Sequence, residues 1–304
     1  MTDRLRVILS GVQMQNPVIP ASGTCGFGEE LAEVYDLDCL GAIAIKGTTC
    51  DARYGNPLPR IAECGTTGLL NAVGLQNPGV DAVIKNELPR LRAHFHQPII
   101  ANISGFSIDQ YQRACELIDR EKQVAIIEVN ISCPNVHQGG MAFGTSPDAA
   151  AEVTRAVKSV TNKPVYMKLS PNVTNITEIA CACAQSGADG LCLINTVLGM
   201  RIDIRRRQPV LANRYGGYSG PGIFPIALRM VNQVKEATHL PIIGCGGITC
   251  AEDVIEMMMA GATAVEIGAT NLVNPSVCPQ IITRLPQLMD ELKIERLEDI
   301  IGIV

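Results

Sequence analysis

An α/β fold, a TIM-type (β/α)8 barrel with an N-terminal hairpin and long loop insertions on its active-site face, is the class the sequence predicts. Three observations predict it: eight short β-branched runs, helical stretches between them, and polar or glycine residues closing each run. The runs are continuously apolar rather than alternating, as strands covered on both faces require, which points to a parallel sheet. Eight such strands in a chain of 304 residues fit a closed barrel, which typically needs about 250 residues.

In chain order, "RLRVILSGVQMQ" alternates around Ser10 and Gly11 and predicts a hairpin capping the barrel floor. The eight strands follow as "NPVIPAS" (16–22), "GAIAIK" (41–46), "QPIIANIS" (97–104), "VAIIEVN" (124–130), "PVYMKLS" (164–170), "GLCLIN" (190–195), "PIIGCGG" (241–247) and "AVEIG" (264–268). Mixed charged and apolar stretches at 109–120, 147–160, 175–186, 225–237 and 251–260 predict helices. The triple Met257–Met259 in the last of these is core filler. Segments 47–96 and 196–224 are rich in Gly, Pro and Asn and resist the βα rhythm; long loops of this kind in a compact domain are usually functional. No repeat, linker or low-complexity tract interrupts the chain, so residues 1–304 are expected to form one domain.

Composition narrows the function. Apolar residues make up 47% and charged ones 18%, enough for a large core, and the net charge of -5 argues against a nucleic-acid or anionic-membrane surface. A small ligand is the better partner. The N-terminal "MTDRLRVILSGV" is too short in apolar length for a signal peptide, and no apolar stretch reaches the roughly 20 residues of a membrane helix. The expected location is the cytoplasm, where the twelve cysteines stay reduced. No C-x-x-C pair occurs, so no zinc ribbon or ferredoxin-type cluster is written into the chain, and no metal is expected. Cys181 and Cys183 are packing residues.

The strand ends are Ser22, Lys46, Asn102, Asn130, Lys168, Asn195, the Gly246–Gly247 pair and Gly268. In a TIM barrel these ends line one active-site face, so residues far apart in sequence should converge on one pocket. "CGGI" after the seventh strand and "EIGAT" after the eighth put backbone amides where barrels commonly hold a phosphate, and "SGPG" at 219–222 can add to that nest. A phosphorylated ligand or cofactor follows. Beyond the fourth strand, "CPNVHQGGMAFGTSP" carries Cys133 on a glycine-rich stretch that suits a mobile lid. The thiol can be nucleophile, metal ligand or general base; partners at metal-ligand spacing are missing, and His137 is better explained as a surface loop residue than as its catalytic partner. His94 and His96 precede a strand and fall at the inactive end.

"NISCPNV" followed by "GGMAFGT", with "NPVIPASGTCGFG", "NAVGLQNPG", "INTVLGMRID" and "GGYSGPG", resembles the catalytic subunit of class 1B dihydroorotate dehydrogenases over essentially the whole chain. The resemblance implies an FMN-containing barrel that oxidises (S)-dihydroorotate to orotate in pyrimidine (UMP) biosynthesis. It also implies a partner subunit carrying FAD and a [2Fe–2S] cluster that passes electrons to NAD, and a homodimer within a heterotetramer. By the same resemblance Cys133 is the base that takes the C5 proton while hydride leaves C6 for the flavin. Substrate contacts fall on Lys46, Asn71, Ala72, Val73, Gly74, Leu75, Asn130, Asn135, Asn195 and Thr196. FMN contacts fall on Ser22, Lys46, Gly47, Asn102, Asn130, Lys168, Ile194, Gly220, Gly246, Gly247, Gly268 and Ala269. Lys168 would lie near the flavin's pyrimidine edge and stabilise negative charge there.

Ala269 departs from the Thr usual in that family, which removes a hydroxyl contact to phosphate but leaves the backbone amide. Class 1A enzymes, linked to fumarate, share the cysteine but lack the "GG-x-A-F-G-T" stretch; class 2 enzymes use serine and add an N-terminal membrane-associating segment. A class 1A-like or related dihydropyrimidine-oxidising flavoenzyme is the nearest alternative. A Schiff-base aldolase built on Lys168 or Lys46 and a non-catalytic scaffold docking through "RRRQ" (205–208) are more remote.

Overall fold

The computed structural model describes residues 3–65, 68–132 and 143–304. Its centre is a ring of parallel strands: β1 (Val18–Pro20), β2 (Ile43–Ala44), β3 (Ile99–Ile103), β4 (Val124–Asn130), β5 (Val165–Lys168), β6 (Gly190–Leu193), β7 (Ile242–Cys245) and β8 (Ala264–Ile267). Each falls inside one of the eight apolar runs. Neighbours follow chain order from β2 to β8, and β8 then pairs with β1. The ring closes between β1 and β2, where the Gly41 amide donates to the Val18 carbonyl at 3.1 Å. Every residue of β3, β5, β6, β7 and β8 is buried, because side chains on one face fill the barrel and those on the other meet the helices.

The outer helices start where the sequence supplies caps. Ser107 accepts from the Gln110 amide to open Ile108–Asp119, Ser146 from Ala149 ahead of Pro147–Lys158, and Asn175 from Thr177 ahead of Ile176–Gln185. Phe224–Ala237 and Ala251–Met259 complete the five expected helices. In the last of them Met257 and Met258 are fully buried and Met259 packs against the core.

The hairpin pairs Val7–Leu9 with Val12–Met14 through Ser10 and Gly11, both at positive φ, as a two-residue primed turn demands. Ser10 Oγ lies 2.9 Å from Tyr166 Oη and donates to the Asp189 carbonyl just before β6, so the hairpin plugs the amino end of the barrel. His96 is at the same end, where Nδ1 lies 2.7 Å from Asp38 Oδ2.

The two long inserts correct the sequence expectation in part. Segment 47–96 contains a barrel helix, built from Val80–Ala82, a π-turn at Val83–Glu87 and Leu88–Arg92. Its buried positions Val80, Val83, Leu88 and Leu91 step by five across the π-turn, which breaks the 3.6-residue period and hides the helix from a periodicity search. Both segments also contribute strands. Ile61–Glu63 and Leu69–Asn71 from the first join Val197–Gly199 and Gly216–Ser219 from the second in one antiparallel sheet beside the carboxyl ends of the barrel strands. Arg205–Arg207 are exposed and lie between the strands of a small separate hairpin, Ile202–Asp203 with Gln208–Pro209.

Candidate active site

Because the strand ends and the insert sheet face one another, they enclose two adjoining lobes of about 390 and 220 Å³, within the usual range of small-molecule sites. The larger lobe is lined by Ser22, Lys46, Gly47, Asn102, Asn130, Lys168 and Asn195 from the barrel, and by Asn71, Ala72, Val73, Gly74, Leu75 and Thr196 from the inserts. The smaller shares Ser22, Lys46, Lys168 and Asn195 and adds Ile194, Gly220, Gly246, Gly247, Gly268 and Ala269. The predicted residues therefore converge on one place, except Cys133 and Asn135, which lie outside the described residues together with His137 and residues 133–142 of the expected lid. Ser132, immediately before Cys133, lines the larger lobe.

The amides there are fixed by one another. Asn130 Oδ1 accepts from the Ser132 amide at 3.1 Å, from Ser132 Oγ at 2.6 Å and from Asn195 Nδ2 at 3.4 Å. Asn195 Nδ2 also donates to Ser132 Oγ, and Asn195 Oδ1 accepts from the Thr196 amide at 2.7 Å. The Asn130 carbonyl is held by Tyr111 Oη at 2.8 Å. With Oδ1 of Asn130 so engaged, its Nδ2 is the group left to bond a ligand, and a donor there suits a carbonyl or carboxylate oxygen. Asn172, which also lines the lobe, spans Ser170 and the Thr196 carbonyl and ties β5 to the β6 loop.

Two lysines reach this cavity in different states. The Lys46 ammonium has no hydrogen-bond or ion-pair partner among the described residues, and burial holds it below the ordinary lysine value; the Cys25 thiol opposes this and Arg60 adds to it. Lys168 Nζ is 2.5 Å from Glu266 Oε2 and 3.2 Å from Glu128 Oε1, both glutamates being fully buried inside the barrel. Asn102 Nδ2 donates to Glu128 Oε1 at 2.5 Å. Burial opposes the Lys168 charge, but Cys192, the two glutamates and Cys245 raise its pKa well above the usual range. Cys192, itself pushed far up by burial, is a neutral thiol at ordinary pH, so the carboxyl groups are what hold the ammonium. A Schiff-base role for Lys168 would need the opposite shift.

Glu128 and Glu266 are the functional neighbours that sequence reasoning missed. Each is the one acid in an otherwise apolar strand, and Glu128 stands two residues before Asn130, hence on the same inner face. That isolated charge was the signal available. Ser132, Asn172, Asn213 and Tyr215 were also missed as cavity residues, since loop polarity alone marks none of them. Among the described residues, the grouping able to present three metal-type ligands is Glu128, Cys192 and Glu266, but the Lys168 ammonium already bonds both of its carboxylates.

The glycine end tests the phosphate expectation. Gly247 sits at φ +78°, and a Cβ there would come within 2.6 Å of the Phe224 amide nitrogen; at Gly246, φ +131°, it would meet Ala227. Both positions exclude side chains and bring backbone to the cavity wall. At Gly268 a Cβ would meet nothing within 4 Å, so open space lies above it, and Asn102 Oδ1 is a buried acceptor without a partner. A glycine cradle at one end and an orphan acceptor near the other fit an elongated, phosphorylated ligand with a polar ring. Thr270 gives its hydroxyl to the Ile248 carbonyl at 2.8 Å, so it does not stand in for the hydroxyl that Ala269 lacks.

Fold and cavity together define a (β/α)8-barrel enzyme with its chemistry at the carboxyl face of the strands. The family model described as dihydroorotate dehydrogenase matches residues 4–289. The chain is 56% identical over 300 residues to the protein of Exiguobacterium sibiricum named dihydroorotate dehydrogenase B (NAD(+)), catalytic subunit, covering 99% of this chain and 96% of that one. Proteins of the same name from Halalkalibacterium halodurans and Enterococcus faecalis are 57% and 53% identical, with 98% and 99% of this chain covered and 97% and 96% of theirs. The chain belongs to the dihydroorotate dehydrogenase family.

Proposed function

We propose that this chain oxidises (S)-dihydroorotate to orotate in pyrimidine biosynthesis, with FMN in the two-lobed cavity and Cys133 as general base. The observation that carries this is the convergence of Lys46, Asn130, Asn195 and the Gly246, Gly247 and Gly268 backbone on one cavity within a chain of this family. Bound FMN supplies the hydride acceptor. Gly220, Gly246, Gly247, Gly268 and Ala269 would hold its phosphate, and Ser22, Gly47, Asn102, Lys168 and Ile194 its ring.

The chain's own groups bind and orient the substrate. Lys46, whose ammonium is unpaired among the described residues, receives the carboxylate of dihydroorotate. Asn130, Asn195, Asn71 and Asn135 match the amide edges of the flat ring, and their mutual bonds fix them before it arrives, which removes reorganisation from the reacting state. Cys133 takes the C5 proton. A free thiol titrates near pH 8.5 in general, so proton removal accelerates toward alkaline pH.

The names of the relatives call them catalytic subunits, and we assign this chain the same part beside a subunit carrying FAD and a [2Fe–2S] cluster, with electrons passing on to NAD. The lack of any C-x-x-C pair in this chain agrees with that division. No helix among the described residues is long and apolar enough to cross a membrane.

Replacement Cys133→Ala tests the assignment. The variant should retain bound FMN yet lose dihydroorotate oxidation by several orders of magnitude. Retention of most of the activity would remove Cys133 from the role of base.

A further inference from the structure

We propose that Glu266 is a positioning residue that shares one buried proton with Glu128, and so leaves the Lys168 ammonium with charge to offer a cofactor in the cavity above it. The inference rests on the assignment of that cavity to FMN. Its observations are geometric. Glu128 and Glu266 are 0% exposed, on strands β4 and β8, and Lys168, 5% exposed, reaches both from β5 while also lining both lobes.

Two ionised carboxylates around one ammonium would leave a net negative charge inside the barrel, where an uncompensated charge is very costly. One retained proton makes the cluster neutral. Both acids receive Lys168, Glu266 through Oε2 at 2.5 Å and Glu128 through Oε1 at 3.2 Å, but Glu128 also receives the Asn102 amide, whereas Glu266 Oε1 is buried without a conventional donor, so Glu128 has the stronger claim to ionisation. The proton therefore stays with Glu266, between the two acids. Burial first and the Glu128 charge second push Glu266 up from 4.5 to about 8, with Lys168 opposing, while Lys168 and the surrounding hydrogen bonds hold Glu128 below its usual value despite burial. Among the described residues, the other titratable groups near the cluster are Cys192 on β6, Cys245 on β7 and Cys25 beyond β1, all pushed up by burial and neutral at ordinary pH.

The consequence is an electrostatic setting for the cavity floor. Below about pH 8 Lys168 faces one carboxylate and keeps part of its field for the ligand; above it, a second carboxylate cancels that field. Negative charge arriving on the cofactor when it accepts electrons is favoured in the first state, and it also tightens the Glu266 proton. Reduction and proton uptake by Glu266 are thus coupled.

Two measurements on the purified holoprotein decide the matter. Infrared spectra should contain a protonated carboxyl band at neutral pH that titrates away near pH 8 and is missing from Glu266→Gln. The band should also be lost at neutral pH in Glu128→Gln, because Glu266 then becomes the sole carboxylate facing Lys168 and ionises. The midpoint potential of bound FMN should fall more steeply with pH around that point in the wild type than in Glu266→Gln, leaving the variant with the higher potential at alkaline pH. Parallel potential profiles, or a neutral-pH spectrum without the band, would overturn the proposal. A chain that takes up no FMN would instead overturn the cavity assignment, while the infrared band, present or absent, still decides where the proton resides.

Discussion

Lys46, just beyond β2, and Lys168, closing β5, stand on the same barrel face and line the same two lobes, yet one ammonium is unpaired among the described residues and the other bonds two buried glutamates. The difference lies in what their neighbours contribute. Around Lys168 the strands β4 and β8 each place an acid on the inner face, so its charge is answered within the protein. Around Lys46 no ion pair forms among the described residues, and burial penalises a charge that a ligand can answer. A strand-end lysine identical in type and position can serve the framework or the substrate, and the partner it already has decides which.

The largest effect expected from this contrast is on stability. Lys168→Met strands the Glu128 and Glu266 carboxyls and should cost about 3–5 kcal/mol, the penalty of breaking a buried ion pair, read as a lower urea midpoint. Lys46→Met removes a buried, unanswered charge and should leave stability unchanged or raise it, by up to about 1–3 kcal/mol. Equal losses in the two variants would break the distinction.

In turnover the order reverses its cause. Lys46→Met should lower kcat/KM for dihydroorotate on the order of 100-fold, the worth of a hydrogen bond to a charged group, with the fold intact. Asn130→Ala should cost less, roughly 10-fold, since Ser132 and Asn195 remain to hold the site. Steady-state kinetics on the two variants gives the ranking.

A pH titration sharpens the comparison further. Glu266 is raised in the folded protein, so its contribution to stability is complete below its ordinary 4.5 and is lost as pH rises through about 8. Thermal unfolding should therefore show a loss between about pH 4.5 and 8 that Glu266→Gln reduces. The smallest effect belongs to the opposite end of the barrel. His96 beside Asp38 lowers that carboxyl's pKa against its partial burial, but the imidazole is 65% exposed, and His96→Ala should cost about 0–1 kcal/mol and leave activity unchanged.

The barrel was legible in the sequence because strands buried on both faces must be apolar throughout; "QPIIANIS" and "PVYMKLS" leave little choice. The cavity was legible for a related reason, since Asn102, Asn130 and Lys168 interrupt such runs only at their ends. Two things escaped. The helix Val80–Arg92 hid behind a π-turn that shifts its buried face, and the insert sheet hid because its strands pair across distant segments, Leu69–Asn71 with Gly216–Ser219, a partnership no local pattern encodes. The glutamates escaped because a strand acid becomes informative only once closure places Glu128 and Glu266 on either side of Lys168.

The most direct test is anaerobic addition of dihydroorotate to the purified holoprotein while its flavin absorbance is followed near about 450 nm. The wild type should bleach within the time of a few turnovers, and Lys46→Met should bleach far more slowly with the same starting colour. A protein that binds FMN but keeps its absorbance unchanged in saturating dihydroorotate would contradict the account.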